Sequence, residues 1–220
     1  MLLRWAMLAV VGWGFLTQGA DAADKSKGRP NKDRSDKIGQ AGAQIGDSIP
    51  ALTVFDLKGQ KASLNEQWKT KPTLIVTASV TCPIARGRQS GVDQLAEKLA
   101  GKINIVMLYT IEAHPKGDPS PYSDKEWTVS LNERQGIGYR QPTALERRIE
   151  LAKDYIKRVN LKTPLLVDAM DNTAWKALGE GPNLGILITP EGKVALKQPW
   201  IDPQSMTEQI QQFLQKSAGK

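Results

Sequence analysis

The 220-residue sequence predicts a mixed α/β fold, and three segments carry that prediction. Residues 72–79 and 103–110 are continuous runs of β-branched and other apolar residues, which is typical of strands buried on both faces. Residues 83–99, between them, place apolar side chains at helical spacing. A strand, a helix and a second strand in this order form a right-handed parallel crossover, so we expect a sheet with a parallel centre.

Before this unit, residues 52–57 and 62–64 are predicted as two short strands that turn at Lys58 and Gly59. We expect ordered structure to begin near Ile45. Together the two short strands form an N-terminal β-hairpin.

After the unit, residues 111–142 contain Pro and Gly without a clear period, and loops of this length are usually functional or disordered. An amphipathic helix follows at 143–159, with Thr143 as its N-cap and Glu146 completing a capping box. The remaining predicted elements are a strand at 165–167, a short helix at 172–178, a hairpin of strands 184–188 and 193–197, and a closing helix at 203–216. This order of elements predicts a thioredoxin-like fold with a redoxin-type N-terminal β-hairpin.

The N-terminal region divides into a predicted signal peptide, residues 1–22, and a basic flexible linker, residues 23–40. Arg4 precedes an uncharged apolar run at 5–16, and Ala20 and Ala22 provide small residues at a cleavage site. An uncleaved N-terminal anchor is the alternative. In both cases the folded domain, predicted at 41–218, lies outside the cytoplasm, in the periplasm or another extracytoplasmic space.

Composition excludes several classes of function. The formal net charge is +7, but residues 24–37 alone hold six basic and three acidic residues, and the rest has no basic cluster typical of nucleic-acid binding. With one cysteine and one histidine, the chain can form neither an intramolecular disulfide nor a thiolate-rich metal site. We therefore predict no bound metal or cofactor and no nucleic-acid partner.

Cys82 is the strongest candidate for chemistry. It lies between a buried strand and a helix, and Pro83 suits the first helical position. The Cys82 sulfur should then lie near the free N–H groups and the positive end of the helix dipole, with Arg86 one turn further on. These features predict a reactive thiol with a pKa below the ~8.5 of a free cysteine. The alternative is a buried cysteine that acts as a small apolar residue.

His114 follows the second buried strand. Because neighbouring parallel strands end at the same edge of a sheet, we expect Cys82 and His114 to face one cleft, with Glu112 close by. His114 would serve as the acid–base group. The alternative is a histidine on a surface loop or one satisfied in the core.

At this point the residues resemble a known family. Thr81-Cys82-Pro83 after a buried strand, followed by Tyr109-x-x-Glu112-Ala113-His114, is similar to the iodothyronine deiodinases, particularly their bacterial members. The similarity continues through Leu145-Glu-Arg-Arg, Pro164-Leu-Leu-Val-Asp168 and Pro199-Trp200, so it spans roughly residues 45–213.

The resemblance implies that Cys82 is the nucleophile, that His114 acts as a catalytic acid or orients substrate, and that Glu112 is a supporting carboxylate. The substrate would be a small iodinated phenol. The residues expected to bind it are Thr81, Pro83, Arg86, Tyr109 and Trp200. Because the chain has no resolving cysteine, each cycle needs an external reductant, a small thiol or a thioredoxin-like protein.

Two other functions stay open from the sequence. A one-cysteine peroxidase would use Cys82 to attack a peroxide and form a sulfenic acid. A non-catalytic binding module would retain the fold with an inert, buried Cys82. A homodimer is also considered.

Overall fold

The structure is a computed structural model, and it describes residues 37–218. It contains seven strands: β1 (Thr53–Phe55), β2 (Lys61–Ser63), β3 (Thr73–Ala78), β4 (Asn104–Tyr109), β5 (Leu165–Asp168), β6 (Gly185–Ile188) and β7 (Val194–Gln198). Besides residues 37–40, which are helical, it contains a 3-10 helix (Leu64–Trp68), α1 (Pro83–Lys98), α2 (Ser130–Arg134), α3 (Leu145–Val159), α4 (Thr173–Leu178) and α5 (Pro203–Ala218).

All seven strands form one sheet in the order β2-β1-β5-β4-β3-β6-β7. The centre is parallel: β3 pairs with β4 over its whole length, from Thr73 opposite Asn104 to Ala78 opposite Tyr109, and β4 pairs in parallel with β5. The β1–β2 and β6–β7 hairpins are antiparallel. The predicted parallel crossover and both predicted hairpins are therefore confirmed, and β3 and β4 end at the same edge of the sheet.

Two apolar layers cover the two faces of the sheet, and β3 shows why. Its alternate residues Leu74, Val76 and Ala78 belong to one buried cluster, with side chains from α1, α3 and α5. Ile75 points the other way, into a second cluster with the 3-10 helix and α4. Because successive strand residues face opposite sides, a strand that is buried at every position, as β3 is, must be covered on both faces.

Three local expectations were wrong. The helix α3 begins at Leu145 with Ala144 as its N-cap, and no side chain caps it, so Thr143 and Glu146 do not form the predicted capping box. The helix α2 lies inside the long stretch that was predicted to lack regular structure. Finally, residues 37–40 are helical and Ile38 is buried, so ordered structure begins before the predicted start at Ile45 and includes the end of the predicted linker.

The predicted signal peptide, residues 1–22, and the linker up to residue 36 lie outside the described residues. Among residues 37–218, no helix has both the length and the apolar character required to cross a membrane.

Candidate active site

Cys82 occupies the position that the sequence predicts for it. It is the N-cap residue of α1, with Pro83 at the start of the helix, and its backbone is extended. The Sγ atom accepts a hydrogen bond from the backbone N–H of Ala85 at 3.4 Å. The sulfur therefore replaces one of the acceptors that the first turn of a helix lacks.

The electrostatics of this thiol differ from the prediction. Only 1% of Cys82 is exposed. Burial raises the pKa of the Cys82 thiol to about 11, because a thiolate loses its hydration there; the backbone N–H groups of Ala85 and Ile84 and the charge of Arg86 lower it by less. The predicted lowering of the Cys82 pKa was wrong for this conformation, since it counted the helix N-terminus and the cation but not the burial.

A buried polar network holds the turn between β3 and α1 from inside the fold. The Glu112 carboxylate accepts hydrogen bonds from the backbone N–H of Thr81 (3.0 Å), from the Thr81 hydroxyl (2.6 Å) and from the Tyr109 hydroxyl. The Tyr109 oxygen in turn accepts the backbone N–H of Val80 at 3.1 Å. Through these bonds Glu112 fixes the two residues that precede Cys82.

The residues of this network are not exposed to solvent. Thr81, Tyr109 and Glu112 are all 0% exposed. Burial raises the pKa of the Glu112 carboxyl, while its bonds from Thr81 and Tyr109 lower it in part. The side chains of Thr81 and Tyr109 both bond to Glu112, and none of the three is exposed, so the supporting role of Glu112 and the substrate contacts of Thr81 and Tyr109 stay predictions.

His114 lies beside the same turn. Its backbone N–H donates to the Thr81 hydroxyl oxygen at 3.0 Å, so the loop after β4 is tied directly to the loop after β3. Its Nδ1 is 3.0 Å from the backbone oxygen of Trp127, and the two rings meet edge to face at 4.5 Å. Because a carbonyl oxygen only accepts, the proton of a neutral His114 is assigned to Nδ1, and Nε2 is then the acceptor.

Arg86 connects the turn to α2. Its guanidinium donates to the Val80 carbonyl, to the Asn132 side-chain oxygen at 2.8 Å and to the Gln135 side-chain oxygen at 2.8 Å. Asn132, which is 2% exposed, also donates its amide to the Thr81 carbonyl at 2.8 Å. The helix α2 therefore lies against the residues on both sides of Cys82.

Sequence reasoning missed Asn132 and Gln135. Both lie in a stretch of irregular composition, and neither residue type at that place indicates a site. Only the folded path of the loop brings them to Arg86 and Thr81. The one available signal was the length of the loop, which indicates function without indicating residues.

Two clefts flank α2. The arginine cleft, of about 470 Å³, is lined by Pro83, Arg86, Gly87, Leu131, Gln135, Ile137, Arg158 and Val159. The histidine cleft, of about 400 Å³, is lined by His114, Lys116, Thr128, Asn132, Glu133, Gly136, Ile137 and Gly138. Cys82 lines neither of these two clefts, and His114 lines only the second, so the expectation that Cys82 and His114 face one cleft stays a prediction.

Of the other residues expected to bind substrate, Pro83 and Arg86 line the arginine cleft. Trp200 lines neither cleft; it follows β7, forms a bridge with Asn183, and its indole N–H is buried without a hydrogen-bond partner among the described residues. Within residues 37–218, no three His, Cys, Asp or Glu side chains are grouped so that they could hold a metal ion.

Comparison with known proteins identifies the fold. No protein-family model and no curated protein sequence matches the chain. A solution structure of a thiol:disulfide interchange protein from Bacteroides sp. matches at 19% identity with a TM-score of 0.55, over 79% of this chain and 91% of that one.

Two further solved structures are similar. The thioredoxin domain of a thiol-disulfide oxidoreductase from Bacteroides vulgatus matches at 18% identity with a TM-score of 0.54, over 79% of this chain and 99% of that one. A thiol-disulfide oxidoreductase from Bacteroides fragilis matches at 14% identity with a TM-score of 0.51, over 76% of this chain and 99% of that one. The predicted thioredoxin-like fold is confirmed.

Proposed function

We propose that this protein is a thiol oxidoreductase in which Cys82 is the nucleophile and an iodinated phenol is the substrate, as the resemblance to the deiodinases implies. One observation carries the proposal: Glu112, Tyr109 and Thr81 form a buried network that fixes the backbone at Cys82 and ties it to the His114 loop. Similar folds are named thiol oxidoreductases, which supports thiol chemistry at this edge of the sheet.

The proposed reaction begins with the transfer of the Cys82 proton to Nε2 of His114, while the Trp127 carbonyl retains Nδ1–H. The thiolate attacks iodine, an S–I bond forms, the C–I bond breaks, and the electron pair of that bond remains on carbon. The His114 imidazolium then protonates the carbon.

An external thiol completes the cycle. A first thiol attacks the Cys82 sulfenyl iodide, which releases iodide and a proton and leaves a mixed disulfide. A second thiol reduces that disulfide and restores Cys82, so two thiols are oxidised to one disulfide for each C–I bond reduced. The chain itself holds one cysteine and cannot supply this reductant.

The burial of Cys82 sets a condition on this chemistry. A thiol that is 1% exposed must be uncovered before an aromatic substrate reaches it. Because α2 is attached to the turn by the side chains of Arg86 and Asn132, we propose that α2 moves away when substrate enters. Outside the cytoplasm, as the predicted signal peptide implies, the reductant would be a small thiol or an exported thioredoxin-like protein.

One alternative function has a specific observation in its favour. The same burial, with a Cys82 pKa raised to about 11, is what a non-catalytic binding module with an inert thiol would show. A one-cysteine peroxidase is the other alternative, since it requires only an accessible Cys82 and a peroxide.

A single-turnover experiment separates the three functions. Pre-reduced protein is mixed either with an iodinated phenol or with hydrogen peroxide, and iodide release and the intact mass of the protein are followed with and without added thiol. The Cys82→Ser variant is the matched control. We expect iodide release that depends on Cys82 and becomes catalytic only when thiol is added.

Each other outcome contradicts this proposal. Oxidation of Cys82 by peroxide without any iodide release would indicate the peroxidase. No reaction with either compound, together with a thiol that resists iodoacetamide in the folded protein, would indicate the binding module.

A further inference from the structure

The arginine cleft, defined above, has features of a ligand site apart from Cys82. Its volume of about 470 Å³ is within the range of small-molecule sites. Two of its lining residues, Arg86 and Arg158, are arginines, and the lining contains no Asp or Glu. It opens at the first turn of α1, next to the N-cap residue Cys82.

The charge of Arg86 has no acidic partner among its hydrogen bonds. The three acceptors are a backbone carbonyl and the side-chain amides of Asn132 and Gln135, all of which are neutral. Burial lowers the pKa of the Arg86 guanidinium and the nearby cation of Arg158 adds to that lowering, while Cys82, Tyr155 and Glu112 raise it in part. An anion in the cleft would relieve both effects.

Arg158 contributes a second guanidinium from α3. It is paired with Asp154, Nε to Oδ2 at 2.6 Å, and its terminal nitrogens donate to the Gln135 carbonyl at 3.3 Å and the Tyr139 hydroxyl at 3.2 Å. These bonds orient the planar group at the rim of the cleft. Each terminal nitrogen carries two N–H groups, so one on each remains for a ligand.

The rest of the lining is apolar. Pro83, Leu131, Ile137 and Val159 offer side-chain surface to a flat hydrocarbon body. A carboxylate suits a pair of guanidiniums because its two oxygens match the fork of N–H donors. An aromatic ring suits the apolar walls.

We propose that the arginine cleft binds the carboxylate of an aromatic acid between Arg86 and Arg158, with the ring against Leu131, Ile137 and Val159. The proposal rests on the proposed function in one respect: it narrows the substrate of that site to iodinated phenols that also carry a carboxylate. Movement of α2, which carries Leu131, would then bring the ring and the Cys82 sulfur together.

The test measures binding without chemistry. The full-length Cys82→Ser protein is titrated by calorimetry with 4-iodobenzoate and with its neutral isostere 4-iodobenzamide. We expect the benzoate to bind at least tenfold more tightly than the benzamide. In the Arg158→Gln variant, the benzoate should lose roughly tenfold in affinity and the benzamide should lose little.

Arg147→Gln is the matched control, because Arg147 lies on the same helix, pairs with Glu150 and does not line the cleft. Equal affinity for benzoate and benzamide in the Cys82→Ser protein, in which both cleft arginines are present, would overturn the proposal. This comparison does not depend on whether the Arg158→Gln variant folds. Equal benzoate affinity in the two arginine variants, with unchanged melting temperatures, would overturn it as well.

The result is separable from the proposed function. Iodide release from a neutral iodinated phenol by the unaltered protein tests Cys82 alone. If benzoate binds but no iodide is released, the carboxylate site in the arginine cleft is supported and the dehalogenation is rejected. If iodide is released but benzoate does not bind, the dehalogenation is supported and the carboxylate site is rejected.

Discussion

The turn that carries Cys82 is held from two sides, and the two sides are built from different parts. The inner side consists of the fully buried residues Tyr109, Glu112 and Thr81. Tyr109 is the last residue of β4, Glu112 follows that strand, and Thr81 directly precedes Cys82. The outer side consists of Arg86 with Asn132 of α2 and Gln135, the residue that directly follows α2.

The two sides also differ in exposure and in what breaking them would cost. On the inner side, donors would be left unpaired where water does not reach, so each lost bond is expensive. On the outer side, Arg86 is half-buried and Gln135 is exposed, so water can replace the bond between them, whereas Asn132 is itself buried. The comparison teaches that stability and access can be separated at this site: the inner side fixes the position of Cys82, and under the proposed function the outer side would control whether a substrate reaches it.

His114 touches both sides, through Thr81 on the inner side and Trp127 in the loop before α2, and the largest expected effect is on its reaction. His114→Asn should lower the rate of iodide release about 10²–10⁴-fold, as expected for the loss of a general acid. The backbone bond to Thr81 remains in the variant, so its melting temperature should stay near that of the unaltered protein. A variant that melts early while its folded fraction reacts at the full rate would make His114 a packing residue.

The inner side should dominate stability. Glu112→Ala removes the acceptor for three hydrogen bonds and leaves a cavity, so we expect the free energy of unfolding to fall by about 3 kcal/mol or more. Urea unfolding followed by tryptophan fluorescence measures it. Glu112→Gln is the conservative control, since its carbonyl can still accept from Thr81 while its amide donates to the Tyr109 oxygen. A loss below about 1 kcal/mol in the Ala variant would break the distinction between the two sides.

The pH dependence of unfolding tests the burial of the thiol itself. Because the folded state raises the pKa of Cys82 from about 9 to about 11, the protonated thiol is favoured in the folded protein. This contribution is fully present below pH 9 and is lost as the pH rises toward 11, where the unfolded chain has released its proton and the folded chain still binds it. Over that window the unaltered protein should lose roughly 2 kcal/mol more than Cys82→Ala.

Cys82→Ala is compared rather than an absolute slope, because burial also raises the pKa values of Tyr109 and Tyr155. The Cys82 thiolate raises the pKa of Tyr155 further, so the difference between the two proteins includes that coupling. Parallel curves for the two proteins would show that the thiol is hydrated, and the outer side would then not be closed in solution.

The outer side should control access with a smaller effect on stability than the inner side. Asn132→Ala removes bonds to Thr81 and Arg86 at a buried position, so the free energy of unfolding should fall by about 1–2 kcal/mol, less than in Glu112→Ala. The rate at which iodoacetamide alkylates Cys82 should rise roughly tenfold, because opening α2 becomes easier. Arg134→Ala, at an exposed position of the same helix, is the control. Equal alkylation rates in the two variants would mean that Cys82 is reached by a route other than α2.

The sequence by itself determined much of this site because the necessary information is local. The apolar run that became β3 and the Cys82-Pro83 pair that begins α1 specify a cysteine at a helix N-cap. The Tyr109 to His114 segment could likewise be placed beside Cys82, since parallel strands that pair in register end at the same edge of the sheet. The thioredoxin-like order of elements followed from the same periodicities.

Only the tertiary structure decided the state of that cysteine. Burial of Cys82 depends on where distant parts of the chain come to lie. The helix α2, for example, is held beside the turn of Cys82 by side-chain bonds from Asn132 to Thr81 and from Arg86 to Asn132. Such contacts leave no period in the sequence. The electrostatic effects of the helix N-terminus and Arg86 are local and had the predicted sign, whereas desolvation is a property of the whole surrounding volume and was larger.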